Sequence, residues 1–479
     1  MPSAILRCVD LFAGCGGFST GAVRALGKLG LEIDLLACNH NPRAIATHRA
    51  NHPQARHEIV DLLSEAAQPE RLVPGGIVDL LLASPSCVFF SRARGGKPIH
   101  DQQRTDPWTI VMWLTRLRVK HLLMENVAEA MRWGPVATTT GRPIKAREGE
   151  YFRAWVSAIR ALGYRVEWRV LCAADYGDPT TRERLFVQAA ANNGRIYWPE
   201  ATHSVRPSVS LFGTTERWRG AREILDWSNR GQSIFARRKP LAPKTMRRIA
   251  IGLHRHSGAW GQVLLEVLAA KGLLDRTTLH DVRRATPAGT PRVTENDQAG
   301  AFLTVFRGTG TARVVDTPLP TLTASGEHLA LATLTHERVV QDAAMTLGQH
   351  GCAVCRPVSE PIATLATRGA VRVFVPTVAP GTAGGEGVVV EVDGVLYRVD
   401  LRFRMLTVRE LARAMSFDDD TETYTFTGTK TDQVRGIGNA VPVRTATALI
   451  AAAVRPEAER RGTVPPMAGP ACLVARPAA

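Results

Sequence analysis

Through the first 200 residues, short branched apolar runs alternate with longer stretches whose apolar residues recur at helical spacing. "AILRCV", "IDLLAC", "VDLLLA" and "HLLMEN" have strand length and carry Val, Ile and Leu almost without interruption. That is the pattern of strands buried on both faces. Between them, "STGAVRALGKLG", "PRAIATHRANH" and "PWTIVMWLTRLR" read as helices. Strand, helix, strand in this rhythm predicts the α/β class, a doubly wound and mostly parallel sheet covered by helices on both faces. Ligands of such sheets gather at the carboxyl ends of the strands. Asp10, Asn39, Cys87 and Glu125 each sit at or just past the end of one of these runs.

The texture changes near residue 205. "RPSVSLFGTTERWRG" opens a region rich in Thr, Gly, Arg and Pro with shorter apolar pieces, and "RRKPLAPKTMRRIAIGL" is a basic helical segment entered through prolines. "RVVDTPLPTLTASG", from Arg313, resembles "RPVSEPIATLATRG", from Arg356. Two copies are too few for a solenoid and read as a duplicated strand-turn unit. After the loop "GTAGGEG", "LTVRELARAMSF" returns to an amphipathic helix. "QVRGIGNAVPVRTATALIAAAV" then reads as a Gly-rich turn followed by another helix, and "PEAERRGTVPPMAGPACLVARPAA" as a disordered tail.

Composition narrows the class. A chain of 479 residues, 45% hydrophobic and 22% charged, has the material for two or three packed cores. Its net charge of +16 points to a polyanionic partner, nucleic acid before an acidic membrane surface. No run of 18 consecutive apolar residues occurs and the amino terminus has no signal-peptide pattern, so neither secretion nor a membrane span is expected. Eight irregularly spaced cysteines suit a reducing cytosol better than a disulfide scaffold. Cys352 and Cys355 have a metal-like spacing, but without a second pair no metal is expected.

The chemistry lies in a few stretches. "DLFAGCGGFSTG" (10–21) sets glycines between the first strand and the first helix, where the backbone can turn tightly and approach a ligand. Alone, a structural turn reads equally well. Asp10 and Phe12 fit a cationic sulfonium and a stacked adenine better than a pyrophosphate, and Asp61 in "EIVDLLS" can accept from an adenine amino group. Glu125 is either a functional acid or a helix cap, and Arg182 and Arg184 either face one site or pair surface acids. Cys8, Cys38 and Cys172 sit in apolar runs and read as core.

"DLFAGCGGFS", "SPSC…S", "MENV", "TTRERLF" and "GIGNAVP" occur in the order and spacing of the cytosine-C5 DNA methyltransferases, and the chain resembles that family from residue 5 to about 450. The resemblance implies S-adenosyl-L-methionine as cofactor and methyl transfer to a cytosine flipped out of double-stranded DNA. It implies Cys87 as nucleophile and Glu125, Asn126, Arg182 and Arg184 as its catalytic companions. It implies cofactor binding by Asp10, Phe12, Ala13, Gly14, Gly16, Gly17, Asn39, Asp61, Pro85 and Asn439, and DNA contact by Ser91, Arg92 and Arg94 in a loop that moves. The family pattern has Glu where this chain has Asn39, Gln where it has Thr180, and Pro-Cys-Gln where it has Ser86-Cys87-Val88. The expected division is a catalytic and cofactor-binding domain at 1–204, a smaller DNA-recognition domain at 205–400, a returning segment at 401–454 and a tail at 455–479. The resemblance places the chain in the bacterial cytosol or in a phage acting there. It leaves the setting open among restriction–modification with a cognate restriction endonuclease, phage protection and epigenetic marking; a monomer is the default expectation. The same chemistry on RNA, and a silent DNA-binding homologue, are the alternatives.

Overall fold

The computed structural model describes residues 5–85, 106–137, 143–210, 213–285, 300–306, 310, 312–324, 328–338, 345–348, 355–357, 371–374, 387–392, 395–418 and 423–466. The alternation forms as read: β1 (Ile5–Leu11), α1 (Gly17–Lys28), β2 (Glu32–Asn39), α2 (Pro42–Asn51), β3 (Arg56–Ile59), a single turn α3 (Pro69–Leu72) and β4 (Ile77–Ala83). Then come α4 (Asp106–Arg116), β5 (Arg118–Asn126), α5 (Glu150–Ala161), β6 (Arg165–Cys172) and β7 (Glu183–Ala190). The sheet order is β3-β2-β1-β4-β5-β7-β6. Pairing is parallel from β3 to β5, whereas β7 runs antiparallel to both β5 and β6. The chain starts in the middle and winds outward both ways, so the crossovers diverge between β1 and β4. Loops leave the carboxyl ends there in opposite directions and open a crevice.

Each face of the sheet is sealed by aliphatic and aromatic side chains. Trp113 of α4 and Trp155 and Ile159 of α5 pack with Leu81 and Leu122 on one face. On the other, Phe18, Ala22 and Leu26 of α1 pack with Leu6, Leu80 and Leu123 and with Leu449, Ile450 and Ala453 from the far end of the chain. Each fully buried Leu or Ile contributes roughly 1.5–3 kcal/mol.

The chain divides into two compact units, Met1–Leu225 with Asp316–Glu327 and Thr407–Ala479, and Asp226–Val315 with His328–Leu406. In the second, a sheet runs in the order Gln232–Ser233, Val395–Met405, Leu329–Arg338, Phe302–Val305, Ala312–Val314, with Val388–Val392 also paired to Val395–Met405. Helices α6 (Pro243–His256), α7 (Gly258–Ala270) and α8 (Arg276–Ala285) pack on it. Their apolar side chains, Ile249, Leu253 and Leu264 among them, meet Phe302, Ala330 and Leu401. Of the sequence repeat, the first copy is described through Ala324, whereas Cys352 and most of the second copy lie outside the described residues.

The chain returns to the first unit through α9 (Val408–Ala414), α10 (Lys430–Asn439) and α11 (Val443–Arg460). The stretch "GIGN", read as a Gly-rich turn, is the last turn of α10, and the chain bends at 440–442 instead. A capping box between Thr429 and Asp432 starts the helix. Gly438 is demanded by packing, since a Cβ there would lie 2.5 Å from the carbonyl carbon and oxygen of Thr323. Residues 455–460, read as the start of a tail, are the end of α11. The span Lys430–Arg460 is long and apolar enough to cross a membrane by composition, but 72% of its apolar window is buried inside the unit. That face is occupied by the core.

Candidate active site

The turn after β1 sets the floor of the site. Phe12, Gly14 and Gly16 have φ of 61°, 56° and 98°, in the left-handed region that only glycine enters freely, so Phe12 holds local strain. The Ala13 amide donates to the Cys38 carbonyl at 3.1 Å and ties the turn to β2. What requires glycine differs along the loop. A Cβ on Gly14 would have room, so φ alone selects it. A Cβ on Gly16 would lie 2.5 Å from the Tyr424 hydroxyl, and one on Gly17 2.4 Å from the Val441 carbonyl oxygen. These two glycines make way for the returning chain.

At the carboxyl ends of the strands lies a cavity of about 570 Å³. Phe12, Ala13, Gly14 and Gly17 line it from the loop, and Asn39, Asp61 and Pro85 from the ends of β2, β3 and β4. Glu125, Arg182, Arg184 and Asn439 complete its wall from β5, the start of β7 and the end of α10. Residues from seven separate stretches of sequence therefore converge. Three expected residues stand behind the wall. Asp10 has no exposed surface; its Oδ2 accepts from the Ser19 hydroxyl at 2.6 Å, and burial pushes its carboxyl up to about 7. Its strand position turns it into the core, away from any sulfonium. Gly16 is covered by Tyr424. Asn126 is fully buried, with Nδ2 donating to the Pro85 carbonyl at 3.1 Å and Oδ1 accepting from the Val127 amide at 2.8 Å. It braces the chain just past β4.

Among the described residues, Glu125 is the one buried acid on the wall. Burial raises its pKa, opposed by Arg184 and then Arg182. Arg184 Nε stands 3.0 Å from Glu125 Oε1, with both side chains largely shielded. Taking both charges out of water costs several kcal/mol, so the pair holds a proton more readily than an exposed carboxylate does. Arg182 has a different place. Its Nη1 donates to the carbonyls of Leu322, at 2.9 Å, and Gly438, at 3.1 Å, beside Asn439. Thr180, where the family pattern has Gln, is buried and makes no side-chain hydrogen bond among the described residues. Backbone support comes instead from 316–324, where the Thr181 amide donates to Leu319 and the Leu319 amide to Pro179. Asp178 accepts from the amides of Arg444 and Thr445 and from the Thr445 hydroxyl, capping α11 from a distant loop.

One side of the cavity has no counterpart among the sequence-predicted residues. Arg43, Thr47 and Asn51, four apart on one face of α2, bond to the returning chain at Asp432 (2.8 Å), Thr427 (2.8 Å) and Thr425 (2.8 Å to its carbonyl, 2.7 Å from its amide). Arg43, Thr47, Thr427 and Asp432 all line the cavity. The signal was the i, i+4, i+8 spacing of polar residues, which marks a face but not its partner.

Cys87, Ser91, Arg92 and Arg94 lie outside the described residues. Cys8, Cys15 and Cys38 are buried with thiols pushed well up by desolvation, while Cys172 is half-buried. No group of three metal-ligating side chains occurs among the described residues.

The C-5 cytosine-specific DNA methylase family matches the chain over residues 6–212 and 378–455. Among individual proteins, Type II methyltransferase M1.HphI of Haemophilus parahaemolyticus is 30% identical over 204 residues, 42% of this chain and 50% of that one. Type II methyltransferase M.AgeI of Thalassovita gelatinovora is 29% identical over 204 residues, 41% of this chain and 42% of that one. The chain thus spans about half the length of these relatives. Among solved structures, the Dnmt2 methyltransferase of S. pombe aligns with a TM-score of 0.45 at 15% identity, over 95% of this chain and 99% of that one.

Proposed function

The chain belongs to the C-5 cytosine-specific DNA methylase family, and from that premise we propose that it transfers a methyl group from S-adenosylmethionine to carbon 5 of a cytosine flipped out of duplex DNA. The observation that carries this reading is the convergence of a shielded Glu125–Arg184 pair with the glycine loop, Asn39, Asp61 and Asn439 on one cavity. The lining fits the cofactor. Its volume suits a ligand of that size, Phe12 offers a ring for an adenine, and Asp61 keeps Oδ2 open among the described residues while Oδ1 takes the Leu63 amide at 3.1 Å. When bound, S-adenosylmethionine supplies the electrophilic methyl group.

Cytosine C5 is a poor nucleophile, and the protein's residues activate it. The Cys87 sulfur bonds to C6, while Glu125, whose pKa burial raises, donates its proton to N3. Electron density then reaches C5, which takes the methyl group. Loss of the C5 proton to solvent, return of the N3 proton to Glu125 and departure of the Cys87 sulfur restore the aromatic ring. Arg184 holds Glu125 in place, Asn126 braces the segment leading to Cys87 through the Pro85 carbonyl, and Arg182 fixes the backbone beside Asn439. The net charge of +16 suits a phosphate backbone. The names of the relatives, both Type II methyltransferases, support a restriction–modification setting with a cognate endonuclease, and we take the chain to act as a monomer. Ser91, Arg92 and Arg94 close on the DNA.

The test is incorporation of labelled methyl into duplex DNA and into RNA, with Cys87→Ala alongside. We expect incorporation into DNA alone and none with the variant. Duplexes carrying 5-fluorocytosine, which has no C5 proton to lose, trap a denaturant-resistant adduct. Incorporation that persists in Cys87→Ala overturns the nucleophile, and none into DNA overturns the enzyme.

A further inference from the structure

Asn39 departs from the acid of the family pattern, and the structure indicates how its amide is oriented. It is 8% exposed at the end of β2 and lines the cavity. The Asn41 amide lies 2.8 Å from Asn39 Oδ1. A backbone N–H can only donate, so the oxygen must point toward it and Nδ2 away. This contact closes an Asx turn, and Asn41 in turn caps α2 by accepting from the amides of Arg43 and Ala44. Helix entry therefore holds the Asn39 oxygen. Its Nδ2 makes no hydrogen bond to the described residues. The group that Asn39 offers a ligand is a donor, where a carboxylate offers only acceptors.

The order of the strands says which part of the ligand meets it. Asp61 stands past β3, Asn39 at the end of β2 and the Phe12–Gly14 turn past β1, and these three strands are consecutive in the sheet. The Val60 amide donates to the Asn39 carbonyl at 3.1 Å, which fixes Asn39 and Asp61 side by side. Resting on the cofactor reading above, with the adenine at Asp61, the sugar falls at Asn39.

We propose that Asn39 sets the ribose chemistry of this site by donating to a ribose hydroxyl oxygen, so that the hydroxyl's own proton is dispensable for binding. An acid at this position needs that proton as its hydrogen-bond donor. The difference is one of specificity: this site tolerates ribose groups that accept but cannot donate.

The probes are S-adenosylhomocysteine and its 2′-deoxy-2′-fluoro and 3′-deoxy-3′-fluoro forms, which lose one hydroxyl proton with little change in size. Affinities are read by calorimetry on the full chain. Both fluorinated forms should bind the wild-type protein within about threefold of the parent. Asn39→Asp keeps an oxygen for the Asn41 amide and converts the donor into an acceptor. It should bind the parent about tenfold more tightly and lose about tenfold or more with one fluorinated form. The wild-type arm stands without the variant, whose unfolding midpoint is checked in parallel. A tenfold loss on fluorination in the wild type overturns the inference, as does equal sensitivity in Asn39→Asp. No binding of S-adenosylhomocysteine overturns the cofactor reading itself, and this inference with it.

Discussion

Replacing Asp10 by Asn should stabilise the protein above neutral pH. The carboxyl is fully buried, one oxygen accepts from the Ser19 hydroxyl and the other makes no hydrogen bond among the described residues. Desolvation raises its pKa from 3.8 to about 7, with the Ser19 bond opposing. Because the folded value lies above the unfolded one, the stability this group contributes is complete below pH 3.8 and is lost as pH rises through about 7. At roughly 1.4 kcal/mol per unit, the loss approaches about 4 kcal/mol above neutrality, of which about 3 kcal/mol falls between pH 5 and pH 8.5. Asn keeps an acceptor for Ser19 but buries an amide with no partner, at about 1–3 kcal/mol. The two effects nearly cancel at pH 5, and the variant leads by about 1–3 kcal/mol at pH 8.5. Urea unfolding at both pH values measures this directly. Parallel pH slopes for the two proteins would refute the reasoning. So would a change in the affinity ratio of S-adenosylmethionine to S-adenosylhomocysteine, because a residue behind the cavity wall cannot read a sulfonium charge by contact.

Two further outcomes follow from the same geometry. Glu125→Gln should lower methyl transfer by about 10²–10⁴-fold with DNA binding retained. In the wild type, activity should fall as pH rises through the raised Glu125 pKa, and a flat alkaline profile would count against its protonated form as the donor. Gly438→Ala replaces glycine inside α10, which helix propensity alone would favour by about 1 kcal/mol. The new Cβ meets the Thr323 backbone at 2.5 Å, so we expect a net loss of about 1–3 kcal/mol in thermal unfolding. A gain in stability would show that the 316–324 segment gives way.

The parallel core of the sheet was legible because its strands are buried on both faces and its helices carry one apolar stripe, so period and burial agree at each step. β6 was harder: it has an edge position, with Trp168 and Val170 partly exposed, and its direction depends on β7, a partner that local pattern does not specify. Position on the cavity wall was legible for residues at a strand end, as for Asn39, Asp61 and Glu125. It was misread where one letter serves two purposes. Asp10 carries the residue type of a ligand contact but is rotated into the core, and Gly16 and Gly438 lack a Cβ because another part of the chain passes there. For the two glycines the requirement is set by contacts more than a hundred residues away in sequence and leaves no local period to read.

The face of α2 that fastens the returning chain also sets when the cavity can exist. Arg43, Thr47 and Asn51 find their partners 389, 380 and 374 residues later. A chain emerging from the ribosome can pair β1 through β7 tens of seconds before 425–439 is made, at the usual rates of synthesis. Throughout that interval it lacks Asn439 and the wall from Thr427 to Asp432, and Gly16 and Gly17 face open solvent in place of Tyr424 and Val441. On the cofactor reading proposed above, capture of the cofactor belongs to the final stage of translation. A prematurely terminated product that retains the whole sheet, with Glu125, Arg182 and Arg184, is left without the cavity wall that the returning chain supplies.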